Sequence, residues 1–94
     1  MENKRRPGIS KEIRKLADEV QDQLGLTVVR TEFVKEYGRR ILRVIINKEG
    51  GIMLSDCEAF SRALSAKLDE VDIIEEKYFL EVASPGIDSE KLGG

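Results

Sequence analysis

The segment "TEFVKEYGRRILRV", residues 31–44, decides the fold because it predicts a β-hairpin. The two predicted strands, residues 26–36 and 40–47, are rich in β-branched side chains. Between them, Gly38 lies where a tight turn needs a positive φ. A two-residue turn at Tyr37 and Gly38 sets the register of the two strands. Tyr37 is unusual in a type I′ turn, so a longer loop with a bulge is the alternative.

This register gives the hairpin one consistently apolar face. Glu32 lies opposite Arg43 on the other face. The apolar face is predicted to hold three cross-strand pairs: Phe33 with Leu42, Thr31 with Val44, and Val29 with Ile46.

A helix is predicted on each side of the hairpin. The first covers residues 10–24, with Ser10 as the N-cap and Gly25 as the stop. Its apolar stripe is Ile13, Leu16, Ala17, Val20 and Leu24. The second begins at "LSDCE", where Ser55 and Glu58 form a capping box and Asp56 lies at the positive end of the helix dipole. Its apolar face is Cys57, Phe60, Ala63 or Leu64, and Leu68.

A third strand is predicted over residues 78–83, after a polar connection over residues 69–77. Pro85 and Gly86 end this strand. Its inward side chains are Tyr78, Leu80 and Val82. The order α-β-β-α-β predicts an α+β fold, a two-layer α/β sandwich with a three-stranded sheet and two helices on one face. We expect the first strand to lie between the other two.

The sheet face turned away from the helices mixes apolar side chains with charges. Its predicted members are Val28, Arg30, Glu32, Val34, Ile41, Arg43, Ile45, Phe79, Glu81 and Ala83. Two interpretations stay open. Scattered exposed apolar residues are common on protein surfaces, but such a mixture is also typical of a docking surface for RNA, a partner protein or another domain.

Composition bounds the class of protein. A length of 94 residues indicates one domain, and 40% hydrophobic with 36% charged residues is typical of a globular chain. No apolar run approaches the roughly 20 residues that cross a bilayer. A single cysteine, Cys57, cannot form an internal disulfide, which is consistent with a cytoplasmic location.

The net charge is −2, but positive and negative residues are concentrated in different parts of the chain. Residues 30–48 carry six cations and two anions, whereas residues 56–76 carry seven anions and two cations. Any binding of a polyanion therefore depends on the local charge of the hairpin rather than on the global field.

Enzyme chemistry finds little support in these residues. The chain has no histidine, which removes the usual general base and metal ligand. Cys57 could be a reactive thiol at a helix N-terminus, but Asp56 and Glu58 flank it with negative charge, which favours a buried core cysteine. The acidic residues 69–76 lack calcium-loop spacing, and Gly50-Gly51 lacks a phosphate-loop pattern. The sequence predicts no catalytic site, no metal site and no cofactor.

The cations of the hairpin are the candidate binding residues. A KH domain needs a GXXG loop, and an RRM needs aromatics on adjacent strands, where only Phe79 is available on the open face. Lysines and arginines on a hairpin suit phosphate contacts rather than base reading, with ordinary solubility as the alternative. The candidates are Lys35, Arg39, Arg40, Arg43 and Lys48.

Two longer segments carry a family resemblance. They are "VRTEFVKEYGRRILRVIINKEGGIMLSDCEAFSRALSAKLD", residues 29–69, and "YFLEVASPGID", residues 78–88. With "KEGGI", "SDC", "SRALS" and "LEVASPGID" in this order, the chain resembles the N-terminal domain of the ribosome maturation factors called RimP. In that family an α/β domain leads through a Ser-Pro-Gly corner into a small β-barrel domain.

The resemblance implies a function and a domain plan. RimP proteins are not enzymes; they bind the immature small (30S) ribosomal subunit and help its assembly. The resemblance implies a basic arm over residues 1–9, the α/β domain over 10–88 and a tail over 89–94, with the second domain absent from this sequence. The implied interdomain corner is Ser84, Pro85, Gly86 and Asp88.

One motif departs from the family pattern. After the position of Asp88 the family usually continues with Arg-Pro-Leu, and here Ser89, Glu90 and Lys91 follow instead. The implied partners are 16S rRNA and small-subunit proteins, with no membrane and no small-molecule substrate. The alternative is a protein–protein interaction module that docks through the open, half-apolar sheet face without direct RNA contact.

Overall fold

The computed structural model describes residues 9–85, and the predicted element order is confirmed there. The elements are α1 (Ile9–Leu24), β1 (Thr27–Glu36), β2 (Arg39–Asn47), α2 (Leu54–Val71) and β3 (Phe79–Ala83). The predicted arm, apart from its last residue, and the predicted tail lie outside the described residues. Neither described helix is long and apolar enough to cross a membrane.

Helix α1 carries the predicted apolar stripe. Its four fully packed members are Ile13, Leu16, Ala17 and Val20. Ser10 lies inside the helix, so the predicted N-cap is wrong. Gly25 ends the helix as predicted: its φ is +69°, and its N–H donates to the carbonyl oxygen of Gln21 at 2.9 Å.

The hairpin turn is the tight two-residue turn. Tyr37 and Gly38 have φ values of +53° and +74°, as in a type I′ turn, and Glu36 pairs with Arg39. The predicted pairs of Phe33, Thr31 and Glu32 are confirmed: Phe33 with Leu42, Thr31 with Val44, Glu32 with Arg43. The tyrosine side chain is 99% exposed, so the turn places it in water without packing it.

The predicted pairing of Val29 with Ile46 is wrong because β1 contains a bulge. Val28 pairs with Ile46 and Arg30 with Ile45, which leaves Val29 as the extra residue. Val28 therefore turns into the core at 3% exposure, not onto the open face, and Val29 is 45% exposed. Side chains of α1 satisfy the Val28 backbone: its N–H donates to Gln21 Oε1 at 2.8 Å, and its carbonyl accepts from Arg14 Nη2 at 3.2 Å.

The expected strand order is also wrong, because β2 rather than β1 is central. β1 pairs with β2 in antiparallel orientation, and β3 pairs with the other edge of β2 in parallel. A parallel pair needs a long crossover connection, and α2 supplies it. The unit β2-α2-β3 is thus a β-α-β unit with the hairpin strand β1 added to its edge.

The N-cap of helix α2 lies two residues before the predicted one. The N-cap is Met53, not Ser55, and Asp56 supplies the capping contact: its Oδ2 accepts from the N–H of Met53 at 2.8 Å. The negative charge of Asp56 does lie in the first turn, as predicted. At the other end Asp72 adopts a left-handed φ of +54°, and its N–H donates to the carbonyl of Leu68 at 2.8 Å.

Both helices pack on one face of the sheet, as predicted. The core combines one stripe from each helix with the inward residues of β1 and β2: Ile13, Leu16, Ala17, Val20, Val28, Leu42, Val44, Ile46, Cys57, Phe60, Leu64 and Leu68. Tyr78, Leu80 and Val82 pack against this core from β3. The connection before β3 is less polar than predicted, because Ile74 is buried in the same core.

Candidate nucleic-acid interface

The open face of the sheet is organised in cross-strand rows. The registers align Val34 with Ile41 and Phe79, then Glu32 with Arg43 and Glu81, then Arg30 with Ile45 and Ala83. The pair of Glu36 and Arg39 forms a further row beside the turn. An apolar row therefore lies between a charged pair at the hairpin tip and an ionic row in the middle of the sheet.

Arg43 is enclosed by carboxylates. Its Nη1 lies 3.4 Å from Glu32 Oε1, and its Nη2 lies 3.2 Å from Glu36 and 3.3 Å from Glu81. Hydrogen bonds with Glu36 and then Glu81 raise the pKa of the guanidinium further above its usual range. The pKa of Glu32 is lowered, first by a hydrogen bond from Arg30 and then by Arg43. The charge of this candidate is thus compensated within the sheet, and its side chain ties all three strands together.

The three cations at the hairpin tip lie on different sides of the sheet. Arg39 lies on the open face, with its guanidinium carbon 5.0 Å from the ring centroid of Phe79. Arg40 lies on the helix side, 4.9 Å from the ring of Phe33, and its Nε bonds Glu76 at 3.2 Å. Lys35 pairs with Arg40 across the strands and is exposed.

Lys48 lies far from the tip. It follows β2, nine residues after Arg39, which corresponds to roughly 30 Å of extended strand. Its Nζ lies 3.4 Å from Asp56 Oδ1. The pKa of Asp56 is lowered, first by the hydrogen bond from Met53 and then by Lys48. The five candidates therefore form no single patch, and Lys48 serves the start of α2.

Within residues 9–85, two of the five candidates have no carboxylate at ion-pair distance: Lys35 and Arg39. Glu36, the cross-strand neighbour of Arg39, binds Arg43 instead. Sequence reasoning missed Lys77, an exposed cation two residues before Phe79. The parallel register of β3 places Lys77 at the same end of the sheet as Arg39, a relation that required the strand order.

Comparison with known families identifies the domain. A family model described as the RimP N-terminal domain matches residues 16–88, which is most of the chain. The chain belongs to the RimP family. RimP proteins are ribosome maturation factors rather than known enzymes, and their expected partners are therefore ribosomal.

The Ser-Pro-Gly corner of this RimP domain is described only at its start. Ser84 follows β3 and is fully buried, with no hydrogen-bond partner for its Oγ among residues 9–85. Pro85 is exposed. Gly86 and Asp88, the other two residues of the expected corner, lie outside the described residues.

The RimP domain also has an open groove of about 320 Å³ between α2 and β3, lined by Cys57, Glu58, Ser61, Arg62 and Val82. The Cys57 side chain that borders it is 7% exposed and belongs to the core. Among the described residues, no cluster of three or more histidine, cysteine or acidic side chains is arranged to hold a metal ion.

Proposed function

We propose that this domain binds the immature small (30S) ribosomal subunit in the cytoplasm and assists its assembly through contacts with 16S rRNA and small-subunit proteins. The observation that carries the proposal is the RimP family match over residues 16–88. The domain acts by binding, without a catalytic step, a metal or a cofactor.

The hairpin tip is the proposed rRNA contact. Lys35 and Arg39 lie close to the two-residue turn on opposite faces of the hairpin, and no described carboxylate neutralises either. Arg40 can add a third contact, because its ion pair with Glu76 is solvent-exposed and such pairs contribute little energy. Lys48 supplies a separate contact, and Arg43 acts indirectly by holding the acidic side chains of the sheet.

The test is co-sedimentation of the chain with precursor and mature small subunits at several salt concentrations. Each phosphate contact contributes a slope of about −0.7 to −0.9 in log affinity against log salt. The double substitution Lys35→Ala with Arg39→Ala should therefore weaken binding and reduce the slope by about 1.5. The matched control is Lys11→Ala with Lys15→Ala, which removes the same charge from exposed positions of α1.

Two results would contradict the proposal. Equal losses in both double variants would show that only overall charge matters. Failure to bind the precursor, both by this chain and by the chain extended with a family-type second domain after Asp88, would refute subunit binding itself.

A second candidate function is docking of a protein partner on the open sheet face. It is favoured by the apolar row, in which Phe79 is 46% exposed and Val34 and Ile41 are partly exposed. Apolar docking changes little with salt, whereas phosphate contacts weaken steeply. Binding that is insensitive to salt and to the tip substitutions would favour this second function.

A further inference from the structure

Phe79 and Arg39 form an exposed aromatic–cation pair on the open face. The Phe79 side chain stays 46% exposed although the Arg39 guanidinium lies 5.0 Å from its ring centroid. Phenylalanine side chains are usually buried. The exposed part of Phe79 is therefore an apolar surface that a ligand can cover. The pair lies in the folded part of the domain, on adjacent strands whose register fixes both backbones.

The ring continues into an apolar row across the sheet. Phe79 aligns with Ile41, and Ile41 aligns with Val34. With strands about 4.8 Å apart, this row is roughly 10 Å wide, comparable to one or two nucleobases. The side chains of the row stand on one face of the sheet and offer a continuous apolar surface to a planar ring.

The cations that favour an anion-bearing ligand, Arg39 and the exposed Lys77, lie at one end of the row. The three nearby carboxylates of Glu32, Glu36 and Glu81 bind Arg43, and Glu32 also binds Arg30, so two of their three negative charges are compensated. Arg39 has no carboxylate partner within residues 9–85, and its guanidinium lies over the Phe79 ring, so its outer side remains available to a ligand. A neutral apolar peptide would gain nothing from this cation, whereas a nucleotide combines a π-face with a phosphate.

We propose that Phe79, Ile41 and Arg39 form a stacking site for one unpaired nucleobase of RNA. The base stacks on the exposed part of the Phe79 ring and on the guanidinium plane of Arg39, and Ile41 contacts its edge. A neighbouring phosphate lies beside Arg39 and the exposed Lys77. This inference deepens the proposed function and rests on it for RNA as the ligand.

The test is binding of fluorescein-labelled single-stranded RNA decamers, oligouridine and oligoadenosine, to the whole chain, measured by fluorescence anisotropy. Phe79→Ala should weaken binding by about 5- to 150-fold, the range of one lost base–aromatic stack. Phe79→Tyr, which keeps the ring, should retain affinity. The matched control Val29→Ala truncates a 45% exposed side chain at the far end of β1 and should change nothing.

An abasic decamer separates stacking from phosphate attraction. The unsubstituted chain should bind it more weakly than oligouridine, and Phe79→Ala should make this difference clearly smaller, because only Arg39 and Ile41 still contact the base. Circular dichroism of each variant verifies that it is folded. Equal affinity of the unsubstituted chain for both oligomers, or no effect of Phe79→Ala, would overturn the stacking site.

The same variants distinguish this inference from the function on which it rests. If the chain binds 30S precursors but no single-stranded decamer, the stacking site is wrong and the proposed function stands. If Phe79→Ala impairs subunit binding but leaves decamer binding unchanged, the apolar row contacts a protein instead, and the inference is again refuted.

Discussion

Replacing Ile46 by Val should destabilise the domain about twice as much as replacing Ile41 by Val. Both residues are in β2, but Ile46 is fully buried on the helix side and Ile41 is partly exposed on the open face. The substitution removes one methylene from a β-branched side chain and keeps β-branching, so strand propensity is unchanged in both variants. The comparison therefore isolates burial.

The magnitude follows from packing. Burial of one methylene contributes about 0.8 kcal/mol, and the small cavity left at Ile46 adds a few tenths, which gives about 1 kcal/mol. At Ile41 water replaces part of the lost contact, so we expect about 0.4 kcal/mol or less. With an m-value of about 1 kcal/mol/M in urea, the midpoints should fall by about 1 M and about 0.4 M.

Urea denaturation followed by far-UV circular dichroism measures both shifts in the same buffer. An m-value that differs from that of the unsubstituted chain would indicate a change in the unfolded state. The midpoints are therefore compared only when the m-values match. Equal shifts, or a larger shift for Ile41→Val, would refute the packing of both helices on the Ile46 side of the sheet.

Three further predictions concern the turn, a helix end and a helix start. Gly25→Ala should destabilise by about 1 kcal/mol in urea denaturation; a Cβ there meets nothing within 4 Å, so the φ of +69° is the cause, and Gly25→Asn should cost less. Tyr37→Asn should raise the melting temperature by about 2–4 °C, because asparagine accepts the positive φ of this turn position more readily; a lower melting temperature would contradict the type I′ geometry. Asp56 has a folded pKa below its ordinary value of 3.8, so its stabilisation is complete above that value and is lost as the pH falls through the folded pKa. Asp56→Asn should therefore destabilise at pH 7 and approach the unsubstituted chain near pH 2, and a constant difference between these pH values would disprove the linkage.

The sequence predicted the hairpin register only up to the bulge. Gly38 and the alternation of polar and apolar residues fix the pairs from Glu36 back to Arg30. At Val28 and Val29 two equivalent side chains follow each other, so alternation cannot tell which one points inward. The hydrogen bonds of the Val28 backbone with Gln21 and Arg14 favour the arrangement in which the Val28 side chain points inward. These bonds depend on how α1 packs against β1.

The central position of β2 did have a signal in the sequence. The run "ILRVII", residues 41–46, is apolar at all positions but one, which is typical of a strand buried on both faces. Four of its members are buried, including Ile45 on the open face at 8% exposure. The connection order alone does not specify which hairpin strand pairs with β3, whereas this run distinguishes β2 from the more polar β1.

The candidate site was predictable as a set of charges but not as a set of partners. Counting cations along the hairpin located Lys35 and Arg39 correctly at its tip. The pairing of Arg43 with Glu81, and of Arg40 with Glu76, joins residues far apart in sequence and depends on β3 lying beside β2. Exposed ion pairs contribute little free energy and form wherever the fold brings opposite charges together. No local sequence pattern therefore predicts them.

The bulge in β1 has a consequence for how copies of this chain meet one another. β1 is an edge strand of the described sheet, and a ten-residue edge is a template for strand pairing between molecules. The extra residue Val29 interrupts the regular ladder, and Arg14 and Gln21 already bind the backbone of Val28. An incoming strand would find regular pairing groups only beyond Arg30, next to charged side chains. The irregularity thus shortens the part of this edge on which a second copy could add a regular strand, which limits self-association through β1.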